Sequence, residues 1–345
     1  VRRDRRARSF EKLANAVLRK LASQLEADGM TAEALLASVP PAANLAGWQR
    51  KRWTAAYGAP AVEQIAASLT MLPPLDLVMR EAGTAPEWAE RLGGSALSGN
   101  VVRLATTNVE QLDGYGDGAW WVQDYAATLP ARLLAPQAGE RIADLCAAPG
   151  GKTAQLCAAG AQVTAVDSSP RRTEVLAANM ARLKMSPEIV AADIRDWAPE
   201  HAGAFDAVLI DAPCTATGTI RRHPDILRRS VSGGDEKLAD LQAELLAHAA
   251  GLVRPGGRLV FATCSMDISE GPAQIEAFLA ANTAWSSAPV SPCAREQLLS
   301  AADQAPLAKA GLRTLPFMSP PLAGSTKPVA GGMDGFFISR LEREA

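Results

Sequence analysis

The segment DLCAAPGGKT at residues 144–153 decides the fold of this chain. It follows a short apolar run and precedes a helical stretch, so it predicts a glycine-rich turn from a strand into a helix, where backbone N–H groups approach a ligand closely. A phosphate-binding P-loop would need glycine at the position of Cys146, and no GxGxxG motif occurs. The spacing therefore disfavours a nucleoside triphosphate and a dinucleotide, while a plain tight turn is the alternative for this motif alone.

Short apolar runs alternate with helical stretches over the rest of this region. The runs cover residues 142–145, 163–166, 189–192, 207–210 and 259–262. Strands alternating with helices indicate a parallel sheet covered on both faces, and such sheets bind ligands at the carboxyl ends of their strands. We therefore expect the functional residues directly after these runs.

Aspartates end the second and third of these strands. Asp167 is placed to accept hydrogen bonds from ribose hydroxyls, and Asp193 could receive an adenine amino group. A lone aspartate at a strand end is more often a helix N-cap, but here aspartates follow three strands in series. An adenosine-containing ligand without phosphates fits this pattern, and S-adenosylmethionine is the candidate.

Two cysteines follow two further strands, in Asp211-Ala-Pro-Cys214 and in Thr263-Cys264-Ser265. Cysteines are commonly buried as small apolar residues. A thiolate that adds to carbon 6 of cytosine, however, makes carbon 5 nucleophilic enough to take a methyl group. Asp211 has the right position to stabilise charge at the N3/N4 edge of such a base.

A cluster of basic residues follows the DAPC motif. Arg221, Arg222, His223 and Arg228 suit contacts with RNA phosphates. The alternative is a solvated loop at the start of a helix.

Composition fits a globular chain of about two domains, with 48% hydrophobic and 21% charged residues. Residues 1–60 hold eleven Lys/Arg and five Asp/Glu, a net +6, whereas the other residues hold 24 and 32, a net −8. This asymmetry, with five arginines between residues 2 and 8, suggests a basic arm that meets a polyanion, although a solvated helix face is the alternative. The five cysteines are scattered and lack zinc-binding spacing, so we expect no disulfide scaffold and no metal site. The sequence shows no transmembrane run and no signal peptide, so we expect a cytoplasmic protein with no membrane partner.

Five ordered motifs together resemble the RsmB/Sun branch of RNA cytosine-5 methyltransferases. They are DLCAAPGGKT, VTAVDSSPRR, DAPCTATGTIRRHPDI, FATCS and the terminal GGMDGFFISRL. The similarity is strong over residues 120–345 and includes GAWWVQDYA at 118–126. Residues 35–115 resemble more loosely the small domain that precedes the catalytic domain of these enzymes.

The resemblance implies a three-part organisation of the chain. Residues 1–30 would be a basic helix left from a NusB-like RNA-binding domain that is otherwise missing, since Lys12–Arg19 is similar to the last helix of that domain. Residues 31–118 would form a small α+β domain. Residues 119–345 would form a Rossmann-like α/β methyltransferase domain, with a seven-stranded, mostly parallel sheet whose last strand is reversed.

The resemblance also assigns roles to residues. Cys146, Ala147, Ala148, Pro149, Gly150, Gly151, Lys152, Asp167, Asp193 and Asp211 would line the S-adenosylmethionine pocket. Cys264 would be the nucleophile, and Cys214 would help to release the methylated product. The substrate would be one unstacked cytosine of 16S ribosomal RNA, and we expect a monomer.

Three alternatives stay open. DNA cytosine methyltransferases use the cysteine of a Pro-Cys motif, which would make Cys214 the nucleophile. The RNA could be another species, such as a tRNA. A non-catalytic RNA-binding protein of ribosome assembly could also keep this fold.

Overall fold

The computed structural model describes residues 10–31, 34–35, 38–105, 108–228, 234–288, 298–299 and 311–345. The arginines between residues 2 and 8 lie outside the described residues, as does Cys293. No helix within the described ranges is long and apolar enough to span a membrane.

Ahead of the first strand, the described residues include the helices α1 (Glu11–Ala27), α2 (Gly47–Tyr57) and α3 (Ala59–Ser68). Helix α1 buries none of its residues, and its Leu13 and Leu18 are 61% and 63% exposed. Helices α2 and α3 are anchored differently, because Trp53 of α2 and Ile65 of α3 are fully buried.

A four-stranded antiparallel sheet follows, in the order β2-β3-β1-β4. Its strands are β1 (Leu75–Met79), β2 (Ser95–Leu97), β3 (Val101–Leu104) and β4 (Trp120–Val122), with helix α4 (Ala85–Leu92) packed against it. Strand β4 pairs with β1, so this sheet extends past the domain boundary that the sequence predicts at residue 118. Its buried Trp120 completes the apolar cluster of the small sheet, which explains the extension.

The large sheet has eight strands, seven of them in the order β10-β12-β9-β8-β5-β6-β7, while β11 pairs with β12. The strands are β5 (Arg141–Leu145), β6 (Gln162–Asp167), β7 (Glu188–Ala191), β8 (Phe205–Asp211), β9 (Val253–Thr263), β10 (Trp285–Ser287), β11 (Leu312–Arg313) and β12 (Phe337–Arg343). Strands β5 to β9 are parallel, and β12 runs antiparallel to β9. The expected α/β class and mostly parallel sheet with a reversed last strand are confirmed, with the two-residue β11 as an addition.

Helices cover both faces of this sheet. They are α5 (Tyr125–Leu134), α6 (Gly151–Ala158), α7 (Pro170–Arg182), α8 (Ile194–Trp197), α9 (Gly234–Leu252) and α10 (Pro272–Ala281). Successive residues of a strand point to opposite faces. Accordingly, Ile142 packs in the cluster with α5, α6 and α7, whereas Ala143 packs in the cluster with α9 and α10. With both faces covered, only the strand ends are free to build a site.

Candidate active site

The turn after β5 builds one wall of the site. Cys146 has a left-handed backbone (φ 58°), and Gly150 has φ 106° directly before helix α6. A Cβ on Gly150 would lie 3.0 Å from the Met180 Cε atom. The left-handed backbone conformation favours glycine at 150, and a Cβ there would also force the Met180 side chain of α7 to shift slightly.

A cavity of about 470 Å³ opens over this turn. It is lined by the whole predicted stretch from Cys146 to Lys152, and also by Asp211 and Cys264. The structure thus brings together residues from the ends of β5, β8 and β9, as expected for a parallel sheet.

Lys152 supplies positive charge at the centre of the cavity. Its Nζ atom lies 2.7 Å from Asp211 Oδ2, and its side chain is only 10% exposed. Burial lowers the pKa of Lys152, but Asp211 outweighs that effect and the pKa ends above its ordinary value. Lys152 therefore stays charged, and it also interacts electrostatically with Asp144 and Cys264.

Asp144 is fully buried at the base of the turn. Its Oδ2 atom accepts a hydrogen bond from the Thr153 hydroxyl at 2.6 Å, whereas Oδ1 is buried with no hydrogen-bond partner among the described residues. Burial raises the pKa of Asp144 to about 7. A buried polar atom without a partner is costly and needs a structural or functional reason, and Asp144 is one of the residues that line the cavity.

Asp167 and Asp193 do not line this cavity. Asp167 is buried behind the turn, where it accepts a hydrogen bond from the Ala148 N–H and lies 3.3 Å from Arg172. Asp193 is the N-cap of α8, since its carboxylate accepts from the Arg195 N–H, and it also pairs with the Arg195 guanidinium. Those hydrogen bonds lower the pKa of Asp193 to about 2. Asp193 therefore adopts the N-cap alternative, and the expected contact with adenine gains no support from its position.

The two expected cysteines lie next to each other. The Sγ atoms of Cys214 and Cys264 are 3.4 Å apart, although 50 residues separate them in sequence. The hydrogen bond to Cys264, together with burial, raises the pKa of Cys214 well above the ordinary value. The Cys214 thiol therefore keeps its proton at neutral pH.

Glu270 connects the two loops that carry these cysteines. Its carboxylate is fully buried and accepts hydrogen bonds from the Thr215 N–H at 2.9 Å and from the hydroxyls of Thr215 and Ser265. Gln242 of α9 donates to the same carboxylate. Glu270 thereby joins the two loops at Thr215 and Ser265, the residues that directly follow the two cysteines.

The predicted RNA-contacting arginines divide into two groups. Arg221 is buried, and its guanidinium pairs with Asp124 and with Asp334 at 3.1 Å. Arg222 lines the cavity and also pairs with Asp334, whereas His223 and Arg228 are exposed. Arg221 is enclosed between two carboxylates, so its position gives no support to the expectation that it contacts RNA phosphates, which stays a prediction.

Sequence reasoning did not identify the residues that close the cavity from the small sheet. Trp121 and Gln123 line it, and Gln123 bonds the Trp121 indole N–H at 2.7 Å and Gln155 of α6 at 2.9 Å. The only signal for them was the resemblance of segment 118–126. Asp334 lies in the terminal GGMDGFFISRL motif, but neither it nor Glu270 could be given a role from the sequence, because their partners are distant in sequence. No group of three His, Cys, Asp or Glu side chains in the described residues could hold a metal ion.

These residues fit S-adenosylmethionine. The glycine-rich turn lines the cavity together with Asp144, whose Oδ1 atom is buried without a hydrogen-bond partner among the described residues. A side chain at Gly151 would lie 3.2 Å from Gln123 and narrow the space. The residues from Cys146 to Lys152, with Asp144 and Asp211, would hold the cofactor.

Comparisons with known proteins agree with this architecture. The family described as 16S rRNA methyltransferase RsmB/F matches residues 131–342. Ribosomal RNA small subunit methyltransferase B of Klebsiella pneumoniae subsp. pneumoniae is 43% identical over 234 residues, covering 63% of this chain and 53% of that protein. The protein of the same name from Sodalis glossinidius is 37% identical over 309 residues, covering 86% and 65%. The chain thus spans between half and two thirds of the length of these relatives.

Solved structures share the fold. The crystal structure of PH0851 superposes with a TM-score of 0.74 at 25% identity, covering 87% of this chain and 66% of that one. NSun6 from Pyrococcus horikoshii, solved with SFG, gives a TM-score of 0.67 at 16% identity, covering 86% and 97%. With the family match over more than half of its length, this chain belongs to the 16S rRNA methyltransferase RsmB/F family.

Proposed function

We propose that this chain carries the catalytic part of an enzyme that methylates carbon 5 of one cytosine in 16S ribosomal RNA. S-adenosylmethionine supplies the methyl group as an electrophile when it is bound. The observation that carries the proposal is the pair of cysteine sulfurs 3.4 Å apart, of which that of Cys264 belongs to a residue that lines the cofactor cavity.

Cys264 acts as the nucleophile in this proposal. It lines the cavity together with Lys152 and Arg222, and both cations interact with it electrostatically. Positive charge beside a cysteine favours its reaction as a thiolate. Its Sγ bonds to carbon 6 of the base, which makes carbon 5 nucleophilic.

Cys214 acts at the end of the reaction. The raised pKa of Cys214 means that its thiol holds a proton that the reaction can use. After methyl transfer, solvent water takes the proton from carbon 5, the electron pair of that C–H bond forms the C5–C6 double bond, and the bond between Sγ and carbon 6 breaks. Cys214, in contact with Sγ, donates its proton to that sulfur as the bond breaks and regains one from solvent, so release of the product depends on Cys214.

Asp211 orients the base. It is 31% exposed at the cavity wall, and Lys152 holds one of its carboxylate oxygens. Its position suits contact with the N3/N4 edge of cytosine, where charge develops in the reaction. Asp167, behind the turn, stays our candidate for the ribose hydroxyls, in which case it would exchange its contact with Arg172.

Methyl transfer to defined RNAs tests the proposal. The chain is incubated with labelled S-adenosylmethionine and an unmodified 16S rRNA transcript, with an unmodified tRNA transcript in parallel, and the methylated nucleoside is identified by mass spectrometry. We expect 5-methylcytosine at one position of the 16S transcript. Labelling of the tRNA alone would contradict the proposal that 16S rRNA is the substrate. Cofactor binding without labelling of either RNA would contradict the proposal that the chain is an enzyme.

A further inference from the structure

Helix α2 is packed directly on the loop that carries Cys264. The Tyr57 hydroxyl, at its end, donates to the carbonyl of Met266, and Arg52 Nη1 lies 3.3 Å from Asp267 Oδ1. Trp53 fixes the helix from below, since it is fully buried. The helix therefore lies at the carboxyl end of β9, where it contacts the residues two and three positions after Cys264.

The outer face of α2, defined by Trp48, Arg50, Lys51 and Arg52, is basic and aromatic. The helix contains no acidic residue. Arg50 and Lys51 are exposed, and no carboxylate in the described part of the chain forms an ion pair with them. The Trp48 residue is 40% exposed, with the Arg52 guanidinium 5.4 Å from its ring.

This face contrasts with the rest of the molecule. Helix α2 lies within residues 1–60, which carry a net charge of +6, whereas the remaining residues carry −8, so positive charge is concentrated in the segment that contains this face. A solvated helix face usually mixes charges of both signs, whereas basic residues beside an exposed tryptophan suit phosphates and stacked bases. From Arg50 to Tyr57 the helix rises only about 10 Å. Arg221, moreover, is buried and enclosed by carboxylates.

We propose that the outer face of α2 binds the RNA strand next to the target nucleotide. Arg50 and Lys51 contact phosphates, and Trp48 stacks on a base. The inference rests on the proposed RNA substrate and adds a binding surface outside the cavity.

The test compares two charge-matched double variants. Arg50→Gln/Lys51→Gln removes two charges from the α2 face. Lys184→Gln/Arg254→Gln removes two charges from the opposite edge of the sheet, where Lys184 lies near the start of β7 and Arg254 pairs with Asp206. Binding of an unmodified 16S rRNA transcript is measured by filter retention at several salt concentrations, and S-adenosylmethionine affinity serves as the control for folding.

We expect the α2 variant to bind RNA several-fold more weakly, with a salt slope smaller by about 1 to 2. The Trp48→Ala variant should lose affinity without a change of slope, because stacking releases no counterions. Equal affinity and slope for the two double variants would overturn the inference. RNA binding is read independently of methylation, so a wild-type chain that binds RNA without methylating it would overturn the proposed function and leave this inference standing.

Discussion

The strands of the large sheet have a carboxyl end and an amino end, which we call the carboxyl edge and the amino edge of the sheet. The two edges hold their polar residues differently. At the carboxyl edge Asp144 and Glu270 are fully buried, and one oxygen of Asp144 has no hydrogen-bond partner among the described residues. At the amino edge Arg258 pairs with Glu140 at 2.6 Å and Arg254 pairs with Asp206, all partly exposed.

This difference between the two edges indicates that the carboxyl edge serves the reaction and the amino edge serves the stability of the fold. Buried polar groups without full compensation destabilise a fold and persist where a ligand or a reaction uses them. Partly exposed ion pairs add modest stability and no chemistry. Substitutions at the carboxyl edge should therefore change turnover or remove the cost of a buried charge, whereas those at the amino edge should lower stability modestly and leave turnover unchanged.

The largest effect is expected at the carboxyl edge, from Cys264→Ala. Loss of the nucleophile should lower methyl transfer by about 10⁴-fold or more, while S-adenosylmethionine still binds. The matched control is Cys157→Ala in α6, a cysteine outside the cavity lining that should keep turnover close to the wild-type rate. Turnover of the Cys264 variant within tenfold of the wild-type rate would contradict the assignment of the nucleophile to the carboxyl edge.

Asp144→Asn tests whether the buried carboxylate destabilises the fold. Because burial raises the pKa of Asp144 to about 7, above its unfolded value, the folded state favours the protonated form. Its contribution to stability is complete below about pH 4 and is lost as the pH rises through 7. The variant should match the wild type at acidic pH and exceed it at pH 8 by up to about 4 kcal/mol. Chemical unfolding between pH 4 and 8 measures this, and parallel curves of unfolding free energy against pH for the two proteins would contradict it.

Glu270→Ala should separate positioning from folding at the carboxyl edge. It leaves the donors of both cysteine loops without their acceptor, at roughly 1–3 kcal/mol for each buried group. We expect kcat to fall by about tenfold to a hundredfold while the affinity for S-adenosylmethionine stays unchanged. Glu270→Gln, which keeps one acceptor oxygen, should recover part of kcat. An equal loss in both variants, or a loss of cofactor binding, would argue against positioning.

Arg258→Ala probes the amino edge and should have the smallest effect. Arg258 bonds Glu140 and the backbone carbonyls of Leu134 and Ala135. We expect a loss of about 1 kcal/mol in the free energy of unfolding and an unchanged kcat. The hydrogen bonds from Arg258 lower the pKa of Glu140, so this difference should be present at neutral pH and shrink as the pH falls through that lowered value. A fall in kcat would break the contrast between the edges.

The sequence predicts the carboxyl edge well where the signal is local. Glycine at 150, the apolar strands and the motifs behind them are encoded in short segments, so the sheet and the meeting of Lys152, Asp211 and Cys264 could be expected. Contacts between distant loops could not. The residues around Arg221 in sequence predict an exposed loop, because Asp124 and Asp334 come close to it only in the folded chain.

The same limit applies to residues with two local readings. Asp193 could be a ligand contact or an N-cap, and the sequence does not decide between them because both positions follow a strand. The structure favours the N-cap, since Arg195 is available two residues later.

The most direct test of the account is to map the covalent bond between protein and RNA. The Cys214→Ala variant is reacted with S-adenosylmethionine and the unmodified 16S transcript, denatured and digested, and the adduct is located by mass spectrometry. We predict an adduct on Cys264 that accumulates in this variant and is absent from Cys264→Ala. An adduct on Cys214 of the wild-type chain that survives Cys264→Ala would contradict the assignment of the two cysteines.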